Sequence, residues 1–133
     1  MPITVSIVED DRETRESLSA LVAGSPGLCC LGAYPSGEEA LRGIPAEQPD
    51  VALVDVNLPG ISGIEAVKIL HEDPATAHIP VVALSANAMP RDIERGLQAG
   101  FFRYLTKPLK VDEFLHTLDV ALDFAEREAA QSL

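Results

Sequence analysis

Five short apolar runs, each followed by a stretch with helical spacing, constrain this chain more than any other feature. The runs are Ile3–Val8, Leu28–Tyr34, 51–56, Val81–Ser85 and 101–106, the second of them irregular. "VALVDV" and "PVVALS" are nearly continuous in apolar residues, as strands buried on both faces require. Between the runs, the spacing predicts helices over 11–22, 37–44 (a short one), 62–72, Pro90–Ala99 and 111–127. Leu18, Leu21 and Val22 share one face of the first helix; Ile64, Val67, Ile69 and Leu70 mark the third; Phe114, Leu115, Leu118, Ala121, Leu122 and Ala125 form a stripe along the last. Ser62 reads as an N-cap with Glu65 three residues on, and Pro90 and Gly100 bracket the fourth helix in the expected order. Strands that alternate with helices connect by right-handed crossovers, which gives an α/β fold with a parallel sheet covered on both sides. A length of 133 residues suits a single domain, with a core over about 4–125 and a last stretch, "AAQSL", that frays.

Composition narrows the function classes. With 47% hydrophobic residues the chain has apolar surface to bury, and 5% aromatics with no Trp make the core aliphatic. The 21 acids against 10 basic residues give a formal charge of −11, which repels a phosphate backbone and argues against direct nucleic-acid binding. "MPITVSIVEDD" lacks the basic start of a signal peptide, and no apolar stretch approaches the roughly 18 residues of a spanning helix. The expectation is a soluble cytoplasmic protein that does not engage a membrane. The adjacent Cys29 and Cys30 read as buried thiols on or beside a strand, and His71, His78 and His116 are too scattered for a zinc site.

In an open parallel sheet, ligands bind beyond the carboxyl ends of the strands, so the residues after each run are the ones to read. Glu9-Asp10-Asp11 follows the first run, Asp55 lies near the end of the third, Ser85 ends the fourth, and Thr106-Lys107-Pro108 closes the fifth. Taken alone, each has an ordinary explanation. An acidic triplet suits a helix start, a strand-end hydroxyl is common, and lysine before proline marks a turn. Asp55 resists this, because a carboxylate inside an apolar run must be paired, metal-bound or protonated. Two like charges at about 4 Å repel by about 4 kcal/mol at an effective dielectric near 20. Glu9, Asp10 and Asp55 therefore need compensation, which Lys107 and a divalent cation together supply. Oxygen ligands without His or Cys favour magnesium. A magnesium site beside a partly buried aspartate, with lysine and hydroxyl donors, is equipped for phosphoryl transfer, with Asp55 as nucleophile.

The motifs "IVEDD", "VDVNLPGISG", "VVALSANA" and "YLTKPL", in that order and spacing, resemble the receiver domain of two-component response regulators, in the CheY-like superfamily, over 4–125. The resemblance implies a doubly wound, flavodoxin-like (βα)5 fold with strand order 2-1-3-4-5. It implies Asp55 as phosphoacceptor, Asp10 as a direct magnesium ligand, Glu9 as a ligand directly or through water, and the backbone carbonyl of Asn57 as another. Ser85 and Lys107 bind phosphoryl oxygens on this pattern, the small Ala86 leaves access, and Asp11 stands just outside the metal shell. Asn57 and Asn87 flank the site and influence hydrolysis of the acyl phosphate. The Lys107–Pro108 bond is cis in such domains, which aims the ammonium across the strand ends. Ser85 and Tyr104 form the switch, altering the face made by the fourth helix, fifth strand and fifth helix. The implied partners are a histidine kinase or histidine phosphotransfer protein, with homodimerisation through that same face.

The first half, through Gly63, is more similar to receivers that precede helix-turn-helix output domains, and the second half to receivers of hybrid sensor kinases. A natural mosaic, an engineered chimera and a piece of a longer protein all agree with that. Two other functions compete. An aspartyl-nucleophile phosphatase often carries Asp-x-Asp after its first strand, whereas here Asn57 stands two residues after Asp55 and the acceptor lies on the third run. A pseudo-receiver that only binds partners is at odds with the intact set of Glu9, Asp10, Asp55, Ser85 and Lys107. Flavin binding lacks a phosphate loop after Val8.

Overall fold

Ten elements alternate without exception in the structure, a computed structural model that describes residues 2–86 and 89–131. They are β1 (Ile3–Val8), α1 (Arg12–Ala23), β2 (Leu28–Tyr34), α2 (Gly37–Glu47), β3 (Val51–Asp55), α3 (Gly63–Glu72), β4 (Val81–Ser85), α4 (Pro90–Ala99), β5 (Arg103–Thr106) and α5 (Val111–Gln131). The strands form one parallel sheet, as their alternation with helices predicts, in the order β2-β1-β3-β4-β5 that the resemblance implies.

Side-chain alternation along the strands divides the core into two layers. Val5, Ile7, Val51, Leu53, Val82 and Leu84 pack on α1 and α5 through Leu18, Val22, Phe114, Leu118 and Ala121. Val8, Ala52, Val54, Val81 and Ala83 pack on the other side against Ala40, Ile44, Val67 and Leu70 of α2 and α3. All five residues of β3 and of β4 are buried, as their uninterrupted apolar runs demand. The irregularity of β2 is a bulge: Val5 pairs with Cys30 and Ser6 with Gly32, leaving Leu31 without a register partner on β1 and 38% exposed.

Several boundaries differ from the sequence expectation. Phe101 is buried in the core but precedes the strand, and β5 begins only at Arg103. β3 ends at Asp55 rather than at Val56. The helix α2 runs past Ile44 and through Pro45, because a proline in the last turn removes only one backbone donor. Gln48, in the left-handed region at φ 50°, then ends it and donates from Nε2 to the carbonyls of Pro45 and Ala75. The helix α5 continues to Gln131, where fraying is the sequence expectation; Ser132 and Leu133 lie outside the described residues. Ile69 is 42% exposed and so leaves the predicted face of α3, and the side chain of Ala125 lies outside the described residues. Cys29 and Cys30 are free and only half-buried, since β2 is an edge strand.

Three helix starts are fixed by side-chain caps, of which Ser62 is the one the sequence suggests. Asp11 accepts from the Thr14 N–H and hydroxyl, Ser36 from the Glu39 N–H, and Ser62 from the Glu65 N–H. Gly63, directly after the last cap, presses its backbone onto the end of β3. Its N–H donates to the Val56 carbonyl at 3.0 Å, and a Cβ there would collide with the Asp55 carbonyl oxygen and lie 2.7 Å from Val56 Cα. Helix propensity alone favours Ala over Gly by about 1 kcal/mol. We expect the opposite here: Gly63→Ala should lower urea-unfolding stability by about 1–3 kcal/mol, as overpacking does. A Gly63→Ala protein as stable as wild type would show that the loop after Asp55 yields freely.

Candidate functional site

The register of the sheet assembles the site. Val8 pairs with Val54, so one more residue along both strands brings Glu9 beside Asp55. Glu9, Asp55 and Lys107 continue the alternation of Ile7, Leu53 and Leu105, which places all three toward the α1 and α5 layer. Ser85 and Tyr104 continue the opposite alternation and border the other layer. The Lys107 N–H donates to the Ser85 carbonyl at 2.8 Å, closing β5 onto the end of β4, and the Lys107–Pro108 bond is cis.

Glu9 is 1% exposed and Asp55 4% exposed, and their four carboxylate oxygens are all engaged. Lys107 Nζ donates to Glu9 Oε1 at 2.6 Å and to Asp55 Oδ2 at 3.0 Å. The Asp11 N–H donates to Glu9 Oε2 at 3.2 Å, and the Asn57 N–H to Asp55 Oδ1 at 3.0 Å. Asp10 stays exposed, and carboxylate oxygens of Glu9, Asp10 and Asp55 lie within 4.8 Å of one another. Asp11 is turned away into its capping role, where the Thr14 hydroxyl and N–H hold its carboxyl below the usual range.

One ammonium does not neutralise three carboxylates. Burial, and then the neighbouring Asp55 carboxylate, push the Glu9 carboxyl up to about 7, although Lys107 and the Asp11 N–H pull the other way. Burial acts to lower the Lys107 pKa, but its bonds to Glu9 and Asp55 outweigh this and raise it. A proton on Glu9, favoured below about pH 7, would relieve part of that charge excess. The donor set fits a hard divalent cation, since it offers oxygen only and a net negative charge. Among the described residues, this is the one cluster of acids, histidines or cysteines close enough to hold a metal, and the three histidines join no such group.

Beside the acids, a cleft of about 240 Å³ is bordered by Asn57, Ser85, Asp92, Arg95 and Tyr104. Ser85 is buried, Tyr104 half-buried with its ring 3.1 Å from where a Gly96 Cβ would stand, and Ala86 exposed. Asn87 lies outside the described residues. Sequence reasoning does not find Arg15, whose guanidinium reaches back to the carbonyls of Glu9 and Asp10. The only hint is a basic residue one helical turn after the acidic triplet. Arg95 and Asp92 are also missed, because their place on the cleft depends on how α4 packs.

Residues 5–119 match the model of the response regulator receiver domain family. The polar-differentiation response regulator DivK of Brucella anthropi is 38% identical over 118 residues, which covers 89% of this chain and 94% of the relative. Among solved structures, the signal receiver domain of a modulated diguanylate cyclase from Desulfovibrio desulfuricans superposes with a TM-score of 0.84 at 29% identity, covering 96% of this chain and 99% of that one. The chemotaxis protein CheY4 of Vibrio cholerae superposes with a TM-score of 0.83 at 26% identity, covering 92% and 100%.

A raised carboxyl pKa has a definite sign in stability. Between the ordinary value of 4.5 and about 7, the folded chain keeps the Glu9 proton that the unfolded chain has lost. The resulting stability is present below pH 4.5 and is lost as pH rises through about 7. Glu9→Gln imitates the protonated form at every pH. In EDTA, the wild-type urea midpoint should therefore fall relative to Glu9→Gln as pH goes from about 4.5 to about 7. A constant difference between the two proteins would mean that folding leaves the Glu9 carboxyl at its ordinary value.

Proposed function

The chain belongs to the response regulator receiver domain family, whose place is in two-component signalling, and we propose that Asp55 is its phosphoacceptor. The observation that carries this reading is a carboxylate buried at a strand end, bonded to Lys107 at 3.0 Å and clustered with two further acids. One carboxylate oxygen of Asp55 attacks the phosphorus of a phosphohistidine. A new O–P bond forms as the P–N bond breaks, and the leaving imidazole nitrogen keeps the electron pair and takes a proton from solvent. Asp10 and Asp55, with the carbonyl of Asn57 and with Glu9 directly or through water, are the groups that would hold magnesium. When bound, magnesium supplies two positive charges close to the developing phosphoryl charge.

Lys107 is the mobile counter-charge. Its ammonium, now shared between Glu9 and Asp55, becomes free to bond phosphoryl oxygens once the acids are otherwise compensated. The Ser85 hydroxyl is the second donor from the protein, and Ala86 leaves the approach open. Phosphorylation adds roughly one negative charge and three acceptor oxygens. Ser85 is drawn toward them, and Tyr104, already bordering the same cleft, turns inward. That movement alters the face of α4, β5 and α5, which is the proposed output surface and the surface for pairing with a second copy. Water attack on the phosphorus later regenerates Asp55, at a rate influenced by Asn57 and Asn87.

The donor is a histidine kinase or a histidine phosphotransfer protein. A cleft of about 640 Å³ next to Lys107, with Leu18, Leu21, Pro108 and Leu109 among its walls, supports docking of a partner beside the acceptor. No helix among the described residues is long and apolar enough to cross a membrane. Incubation with magnesium and acetyl phosphate should add one phosphoryl group to the wild-type chain in intact-mass spectra, with none on Asp55→Asn and none in EDTA. Equal labelling of wild type and Asp55→Asn would remove Asp55 from the reaction.

A further inference from the structure

We infer that Arg15 is a positioning residue for the cation site, acting through the backbone of the turn that carries Glu9 and Asp10. The inference rests on the reading of Glu9, Asp10 and Asp55 as cation ligands. Arg15 stands on α1, one turn after the Asp11 cap, and is half-buried. Its Nη1 donates to the Glu9 carbonyl at 2.9 Å and to the Asp10 carbonyl at 3.3 Å. Among the described residues those two carbonyls receive no other hydrogen bond. They lie past the end of β1, where the ladder has stopped, and before α1, where helical bonding has not begun.

The side chains on this turn face different surroundings. Glu9 is buried against Lys107, Asp10 is exposed, and Asp11 is committed to capping α1. The backbone of this turn has to serve all three, and Arg15 is the side chain that holds it from the carbonyl side. The Arg15 N–H also donates to the Asp11 carbonyl at 2.8 Å, so the same residue continues into the helix that fixes its side chain. Arginine suits this task because its charge is permanent and its planar guanidinium fixes the directions of the Nη1 donors that serve both carbonyls.

Two effects of Arg15 on cation binding have opposite signs. A positive charge near the acids repels a cation, so loss of the charge alone tightens binding. Loss of the clamp lets the turn relax and weakens binding. The charge effect is softened by solvent around a half-exposed group. Loss of a group that orients metal ligands typically costs 10–100-fold in affinity. The clamp should therefore win.

Magnesium binding to the full chain by isothermal titration calorimetry decides this. Arg15→Met should bind magnesium about ten-fold more weakly than wild type. Arg15→Lys keeps the charge but replaces the planar, directionally fixed donor with a freely rotating ammonium on a different stem, and should fall between the two. Thermal midpoints in EDTA, measured alongside, should shift far less than the magnesium affinity, which separates positioning from general support of the fold. Arg15→Met affinity equal to or tighter than wild type overturns the inference. If Arg15→Met fails to fold, Arg15→Lys carries the test, and wild-type affinity in that variant overturns it equally. If wild type itself binds no magnesium, or if Asp10→Asn binds as tightly as wild type, the reading of the acids falls and the inference with it.

Discussion

Two carboxylates, Glu9 and Asp55, sit almost wholly out of water and share a single ammonium, that of Lys107. Removing a charged carboxylate from water costs several kcal/mol even after relaxation, and a pair held by one counter-charge is only half compensated. The rest of the site follows from that deficit. A proton on Glu9 would meet it at low pH, and a divalent cation held together with exposed Asp10 would meet it at higher pH. The strand ends are therefore arranged for a partner that carries positive charge, at the expense of the stability that a neutral packing would give. Glu9 is where this arrangement is most visible, since its carboxyl is pushed up to about 7.

The sheet is what makes such crowding hold. β1 and β3 are neighbours, and their register carries Glu9 and Asp55 to the same height. β4 and β5 bring Ser85 beside Thr106, so Lys107 emerges one residue further on, aimed across the ends of β3 and β1. The alternation of side chains then sorts the roles by layer. Charge compensation lies toward α1 and α5, and the hydroxyl and tyrosine of the proposed switch lie toward the other layer. Asn57, two residues after Asp55, borders the same cleft as Ser85 and Tyr104, so the proposed switch needs no long path between its members.

Most of the architecture could be read directly, because it depends on strong periodic signals. Buried parallel strands such as β3 and β4 must be apolar throughout, and a lone Asp55 inside one stands out by its desolvation cost. The cap at Ser62 was legible in residue type and position, and the acidic triplet ending in Asp11 marked a helix start. What escaped was set by contacts distant in sequence. The length of α2 beyond Pro45 depends on Gln48 reaching Ala75, and the late start of β5 depends on Phe101 entering the core first. The upward push on the Glu9 carboxyl depends on how deeply the fold buries it, which composition does not reveal. Arg15 acts on backbone carbonyls, and a side chain that bonds backbone leaves no partner residue to notice in the sequence.

The central claim is that acids from β1 and β3 enclose a cation while Asp55 accepts a phosphoryl group and Lys107 changes partners. A crystal structure with magnesium and beryllium fluoride, which imitates an aspartyl phosphate, addresses this most directly. The account predicts beryllium bonded to an Asp55 oxygen, magnesium coordinated by Asp10 and Asp55, and Lys107 Nζ moved from Glu9 to a fluorine. Beryllium fluoride absent from Asp55, or magnesium bound away from these acids with Lys107 still on Glu9, would contradict it.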